Sequence, residues 1–164
     1  MTKEPMTEYG HTKLKNELTD LKKVQRPDTV EEIDVARSHG DLKENAEYHA
    51  AREKLRFIES RIGELGELLV NSQLVDPSSY THDRVRFGST IVLEDMETEE
   101  ESTYVIVGRT ESNPDRGLIS FQTPLARGLM GKEEGDEVEI KLPIGKKEFE
   151  IISVEYKEII FEEK

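Results

Sequence analysis

From about residue 7 the apolar positions of this chain fall at helical spacing. Leu14, Leu18 and Leu21 are separated by four and three residues, and Val30 and Ile33 resume a similar stripe beyond Pro27. Proline lacks an N–H and its ring collides with the preceding turn, so a kink or local interruption is expected at Pro27. A second stretch is more regular. Ala51, Leu55, Ile58, Ile62, Leu65 and Leu69 step by four, three, four, three, four, which is a heptad seam with charged residues between its members. The two stretches meet at a short break, Ser38-His39-Gly40-Asp41, where Gly40 can close the first helix in a left-handed conformation. The pattern predicts an antiparallel coiled-coil helical hairpin over residues 1–76. A helix of roughly thirty residues is about 45 Å long, so the hairpin should be a narrow arm ending in a tight turn.

After Asp76-Pro77-Ser78-Ser79 the period changes from helical to extended. Val85-Arg86-Phe87, Thr90 to Leu93, Tyr104 to Val107 and Leu118 to Phe121 are short β-rich runs separated by Gly, Asn, Pro or acidic turns. A short helix is expected from Pro124 to Met130. Glu137 to Leu142 alternates polar and apolar, Pro143-Ile144-Gly145-Lys146 supplies a turn, and Glu148 to Val154 forms the return strand. The expected class is α+β: the hairpin, a linker over 76–82, and a β-rich domain over 82–164. The acidic run Glu97 to Glu101 reads as a solvated loop.

Composition narrows the function. The hydrophobic fraction is 34% and the charged fraction 36%, too polar for one large core but suited to a long solvated helical element beside a small domain. No run of eighteen apolar residues is present and the first ten residues lack an apolar signal region, so the expected address is the cytoplasm, with no membrane partner. The absence of cysteine removes disulfides, thiolate metal sites and cysteine nucleophiles. Net charge is −13, with 12 Lys and Arg against 16 Asp and Glu in residues 1–77, and 11 against 20 in residues 78–164. The second half is thus a poor surface for phosphates and a better one for meeting a protein.

The informative stretch is Arg37-Ser38-His39-Gly40-Asp41-Leu42-Lys43-Glu44-Asn45-Ala46-Glu47-Tyr48. Two readings of its acids stand side by side. Asp41 is an N-cap residue by type, and Glu44, three residues on, completes the spacing of a capping box at the positive end of a helix. Alternatively, two carboxylates at the far end of an arm are hard oxygen ligands that suit Mg²⁺, which is typically held by one or two carboxylates plus waters and substrate phosphates. Such an arm is not a complete active site, but it can lend ligands to another protein's. The two readings are compatible, because each carboxylate has several lone-pair sites.

Gly40-Asp41-Leu42-Lys43-Glu44-Asn45-Ala46-Glu47-Tyr48-His49-Ala50-Ala51-Arg52-Glu53 resembles the tip signature of the bacterial GreA/GreB transcript cleavage factors, and Thr123-Pro124-Leu125-Ala126-Arg127-Gly128-Leu129-Met130-Gly131-Lys132 resembles their second signature. The resemblance spans essentially the whole chain. It implies a C-terminal domain similar to the FKBP fold, docked on the rim of the RNA polymerase secondary channel, and a coiled coil reaching down that channel. It implies that the acids matching Asp41 and Glu44 help hold a weakly bound second Mg²⁺ shared with the polymerase, the chain having no cofactor of its own. The polymerase would then cleave backtracked RNA by two-metal chemistry and resume from a new 3′ end. The partners implied are the polymerase elongation complex and the nascent RNA 3′ end, with the free factor monomeric.

Neighbouring residues have weaker assignments. Tyr48 follows Glu44 by four residues and shares its helical face, so it can stack on an extruded base or cover the apolar seam. Arg37, Lys43, Asn45 and Arg52 are candidates for RNA or channel contact, against ordinary surface solvation. Thr123 and Pro124 are candidates for polymerase docking, against a plain strand-to-helix connector. Arg52, Lys54, Arg56 and Arg61 alternate with Glu53, Glu59 and Glu64, which is not the broad basic face of the GreB type. Leu42-Lys43-Glu44-Asn45 looks like the GreA type, implying very short fragments from shallow backtracks. A channel-binding regulator that does not promote cleavage is the alternative class. A prolyl isomerase on the FKBP-like fold is disfavoured by the 6% aromatic content and absence of Trp.

Overall fold

The computed structural model describes residues 3–41 and 44–162. The described residues divide into two units, one within 11–72 and the other made of 3–10 with 73–162. No helix among the described residues is long and apolar enough to cross a membrane.

The first unit is the helical hairpin. Helix α1 (Glu8–Asp20) passes into a π-helical turn, Leu21–Gln25, then α2 (Arg26–Arg37), and α3 (Ala46–Val70) returns alongside. Contacts between the arms pair residues at widening sequence separation, as an antiparallel hairpin requires: Asn45 with Ala36, Lys54 with Glu32 at 3.2 Å, and Arg61 with Glu17 at 2.8 and 3.1 Å. The last is a two-pronged pair in which the Glu17 carboxylate holds the Arg61 guanidinium protonated beyond its ordinary range. The α3 seam is the predicted one: Ala51, Ile58 and Leu65 are buried, with Leu55, Ile62 and Leu69 half-buried between them.

The α1–α2 arm departs from the predicted stripe. Val30 is 44% exposed, whereas Thr29 is fully buried, followed by Ile33 and Ala36. Continuing the four-three rhythm from Leu21 would place Gln25, Asp28, Glu32 and Val35 on the seam. The observed positions past Gln25 come one residue later, because the π-turn contains one residue more than an α-turn. The Arg26 N–H reaches back five residues to the Leu21 carbonyl, and Thr29 Oγ1 donates to the Gln25 carbonyl at 2.7 Å. The expected disturbance at Pro27 therefore lies just before it and changes the phase of the helix without ending it.

The second unit is built on a five-stranded sheet of order β5-β4-β3-β7-β6, from β3 (Thr90–Asp95), β4 (Glu101–Val107), β5 (Leu118–Ser120), β6 (Glu137–Leu142) and β7 (Gly145–Glu155). β3–β4 and β6–β7 are antiparallel hairpins, β4–β5 is parallel, and β3 joins the hairpins by pairing with β7. Helix α4 (Pro124–Leu129) packs on β6, burying Ala126 and Leu129 among Ile91, Leu93, Ile106, Val138, Ile140 and Ile151. The α+β class is as read from the sequence, and Val138 and Ile140 face inward in the expected alternation.

Three boundaries differ from expectation. Residues 85–87 are not a strand, although Val85 and Phe87 enter the core; Val85 instead exchanges backbone hydrogen bonds with Lys132 and Gly131. A short strand β1 (Glu4–Met6) pairs with β2 (Ser72–Leu74), so the amino-terminal residues belong with the β-rich unit and not with the hairpin. Residues 76–82, expected to be a linker, belong to that unit too. Pro77 is buried, and His82 donates from Nε2 to the Pro77 carbonyl (2.6 Å) while its Nδ1 is hydrogen-bonded with Ser89 Oγ (2.6 Å). Ser89 Oγ also accepts from the Arg86 N–H.

Candidate functional site

The hairpin end is built from two helix termini and the loop between them. α2 closes at Ser38, whose N–H bonds to the Asp34 and Val35 carbonyls, and the His39 N–H follows to Ala36 at 3.1 Å. Gly40 then takes φ +117°, a backbone value that L side chains rarely adopt, and turns the chain out of the helix. α3 does not begin until Ala46. Asp41 and Glu44 precede it and both are exposed; Lys43, predicted to contact RNA or the channel, lies outside the described residues.

This settles the cap. Asn45, in an extended conformation, accepts at Oδ1 from the Tyr48 N–H at 3.0 Å and is the N-cap of α3. Asp41 and Glu44 therefore do not form a capping box with that helix. Asn and Asp are equally good caps by type, and the sequence favoured Asp41 only because Glu44 completed a familiar spacing. Glu44 carries no hydrogen bond or ion pair among the described residues. Nearby, the His39 ring lies 3.5 Å from Glu47.

Four predicted contact residues are engaged within the hairpin. Asn45, besides capping, donates from Nδ2 to the Ala36 carbonyl across the two arms. Tyr48 is 8% exposed and packs with Ile33, Ala36, Ala51 and Leu55, so its ring covers the seam and does not present an open stacking face. The guanidiniums of Arg37 and Arg52 lie 5.9 and 5.6 Å from its centroid, and Arg52 Nη1 is 3.4 Å from its hydroxyl. The two arginines thus line an aromatic ring at the hairpin end, with their charged heads still able to meet anions. Sequence reasoning missed Asn45 as the cap. The acidic Glu47 in the first turn after it was the available signal.

In the second unit, Thr123 is the N-cap of α4. Its Oγ1 accepts from the Ala126 N–H at 3.2 Å and donates to the Ser120 carbonyl at 2.9 Å, and exposed Pro124 occupies the first turn. The connector role is thereby real, and it holds Pro124 on the surface.

Residues 4–74 match the family model for the N-terminal domain of transcription elongation factors, and residues 80–156 match that for the C-terminal domain of the GreA/GreB factors. The chain is 59% identical over 162 residues to transcription elongation factor GreA of Helicobacter hepaticus, covering 99% of both chains. It is likewise 59% identical to that of Wolinella succinogenes, covering 99% of this chain and 100% of the relative. Among solved structures it is similar to GreA factor homolog 1 of Thermus thermophilus, at 23% identity and a TM-score of 0.43 over 93% of this chain and 98% of that one. On the two domain matches and the full-length identity, the chain belongs to the GreA/GreB family of transcription elongation factors.

Proposed function

We propose that this protein binds RNA polymerase in the cytoplasm as a monomer and presents its hairpin end, through the secondary channel, to the polymerase active site, where it stimulates the polymerase's own cleavage of backtracked RNA. The chain is the stimulator and the polymerase is the enzyme. The observation that carries this reading is the pair Asp41 and Glu44, two exposed carboxylates in the hairpin loop that do not cap α3.

Among the described residues no group of three or more His, Cys, Asp or Glu is arranged to hold a metal. Two oxygen-donor side chains fit the role of partial ligands for Mg²⁺, completed by polymerase carboxylates, water and RNA phosphate. A Mg²⁺ bound there would supply a Lewis acid beside the scissile phosphodiester. The chain's own contribution is to carry two negative charges on a loop and to orient a water by accepting its hydrogen bonds. Arg37 and Arg52, grouped around Tyr48, supply positive charge for RNA phosphates. Pro124, exposed at the start of α4, is the docking point on the channel rim, with Thr123 holding it in place.

The test is transcript cleavage in a stalled, backtracked elongation complex with Mg²⁺, comparing the natural chain with Asp41→Asn and Glu44→Gln. Removing the charges should abolish most of the stimulation while polymerase binding and helix content are unchanged. Full cleavage by both variants would sink the metal-donor reading and favour a regulator that only occupies the channel.

A further inference from the structure

We infer that Asn45 is a positioning residue for the tip carboxylates: its side-chain amide ties the end of α2 to the start of α3 and so fixes the base of the loop that carries Asp41 and Glu44. The inference rests on the reading that those acids act in the polymerase active site.

Asn45 Nδ2 donates to the Ala36 carbonyl at 2.5 Å and its Oδ1 accepts from the Tyr48 N–H at 3.0 Å. Ala36 and Tyr48 are 3% and 8% exposed and lie in one packed cluster with Ile33, Ala51 and Leu55. Both ends of the amide are therefore fastened to the rigid layer of the hairpin. Every residue between Ala36 and Asn45, including both acids, belongs to the segment bounded by this tie.

The tie does more than the helix needs. The Ala36 carbonyl already accepts from the His39 N–H at 3.1 Å, so losing the Asn45 donor leaves no unpaired carbonyl. The cap on α3 uses only the oxygen. Asp would cap as well, but it has no donor and adds a negative charge beside Asp41 and Glu44. Ser would also cap, but its hydroxyl is too short to bridge the arms. Only the amide caps one helix and grips the other. The mechanical consequence falls on Glu44, the residue immediately before it, and through the loop on Asp41. Holding reacting groups in place is worth large factors in rate, with a displacement of about 1 Å costing on the order of a hundredfold.

Asn45→Ser and Asn45→Asp separate the cap from the tie, since both keep an acceptor for Tyr48 and lose the donor to Ala36. In the full chain with a backtracked elongation complex, both variants should melt within a few degrees of the natural protein. They should reach half-maximal effect at the same factor concentration, yet Asn45→Ser, which adds no charge, should require about tenfold more Mg²⁺ for half-maximal cleavage, the signature of displaced ligands. A Mg²⁺ titration that overlays the natural one overturns the inference, as does a loss of cleavage that tracks a loss of helix content. Asp41→Asn run in parallel distinguishes the two levels. If it also cleaves normally, the reading of the tip has failed; if it fails to cleave while the Asn45 variants cleave normally, only the role of Asn45 has.

Discussion

The carboxylate of Glu111 stands against Gly10 so closely that a Cβ built on the glycine would lie 2.4 Å from Oε2. Glu111 is 6% exposed and cannot simply swing aside. Its Oε1 accepts from the Thr7 and Gly108 N–H groups at 2.8 and 3.0 Å, and its Oε2 from the Thr110 hydroxyl at 2.8 Å. The start of α1 and the loop after β4 share this one anion. In Gly10→Ala the usual gain in helix propensity, about 1 kcal/mol, should be outweighed by overpacking of about 1–3 kcal/mol. The melting temperature should fall. Gly63 and Gly66 sit in α3 with nothing within 4 Å of a built Cβ, so alanine at either should raise it.

Removing the anion is the complementary experiment. Glu111→Ala leaves the buried N–H groups of Thr7 and Gly108 without their acceptor, and each unsatisfied donor costs roughly 1–3 kcal/mol. Glu111→Gln keeps the oxygen that serves both and should retain most of the stability. Chemical denaturation of the three proteins orders them natural, Gln, Ala, with Ala well separated.

The π-turn predicts a deletion phenotype. Deleting the exposed Val24 would remove its additional residue and return Thr29, Ile33 and Ala36 to a regular heptad rhythm. It would also leave Pro27 in an unbroken α-helix, where a proline costs about 3 kcal/mol. The deletion should therefore destabilise the hairpin, and adding Pro27→Ala should restore it. Thermal melts followed by helix circular dichroism check this, and a Val24 deletion as stable as the natural chain would refute the account.

Tyr48 separates packing from recognition. Tyr48→Phe loses only the hydroxyl contact with Arg52 and should melt within about 1 kcal/mol of the natural protein. Tyr48→Ala empties the seam at the hairpin end and should cost about 3–5 kcal/mol. If Tyr48→Ala instead melts normally and loses only cleavage, the ring's role is recognition.

Acid sensitivity has an identifiable source in the β-rich unit. Asp95 accepts from the Glu97 N–H at 2.9 Å and the Thr98 N–H at 3.2 Å, and these bonds hold its carboxyl below the ordinary value of 3.8. A folded pKa below the unfolded one contributes stability that is fully present above the unfolded value and is lost as pH falls through the folded one. The denaturation midpoint should therefore decline as pH drops below about 4, and Asp95→Asn should flatten that decline. An unchanged slope in the variant would assign the acid sensitivity elsewhere.

What the sequence determined by itself is whatever repeats over many residues. The α3 heptad, the alternation of β6, the turn before β7 and the α+β division are read from periods that accumulate evidence residue by residue, and burial enforces them. The two signatures, one at the tip and one running through α4, likewise announced the family. What tertiary structure decided is whatever turns on one residue or three. Whether Asp41 or Asn45 caps α3 depends on where the helix starts, and it starts where Asn45 also reaches across to Ala36. Whether Val30 or Thr29 meets the partner helix depends on a single additional residue in the π-turn. β1 and β2 are three residues each, too short for any period to declare, and exist because they pair with each other. Residues 76–82 look like a linker by composition, yet Pro77 and His82 are buried by the domain they join, a contact no local pattern contains.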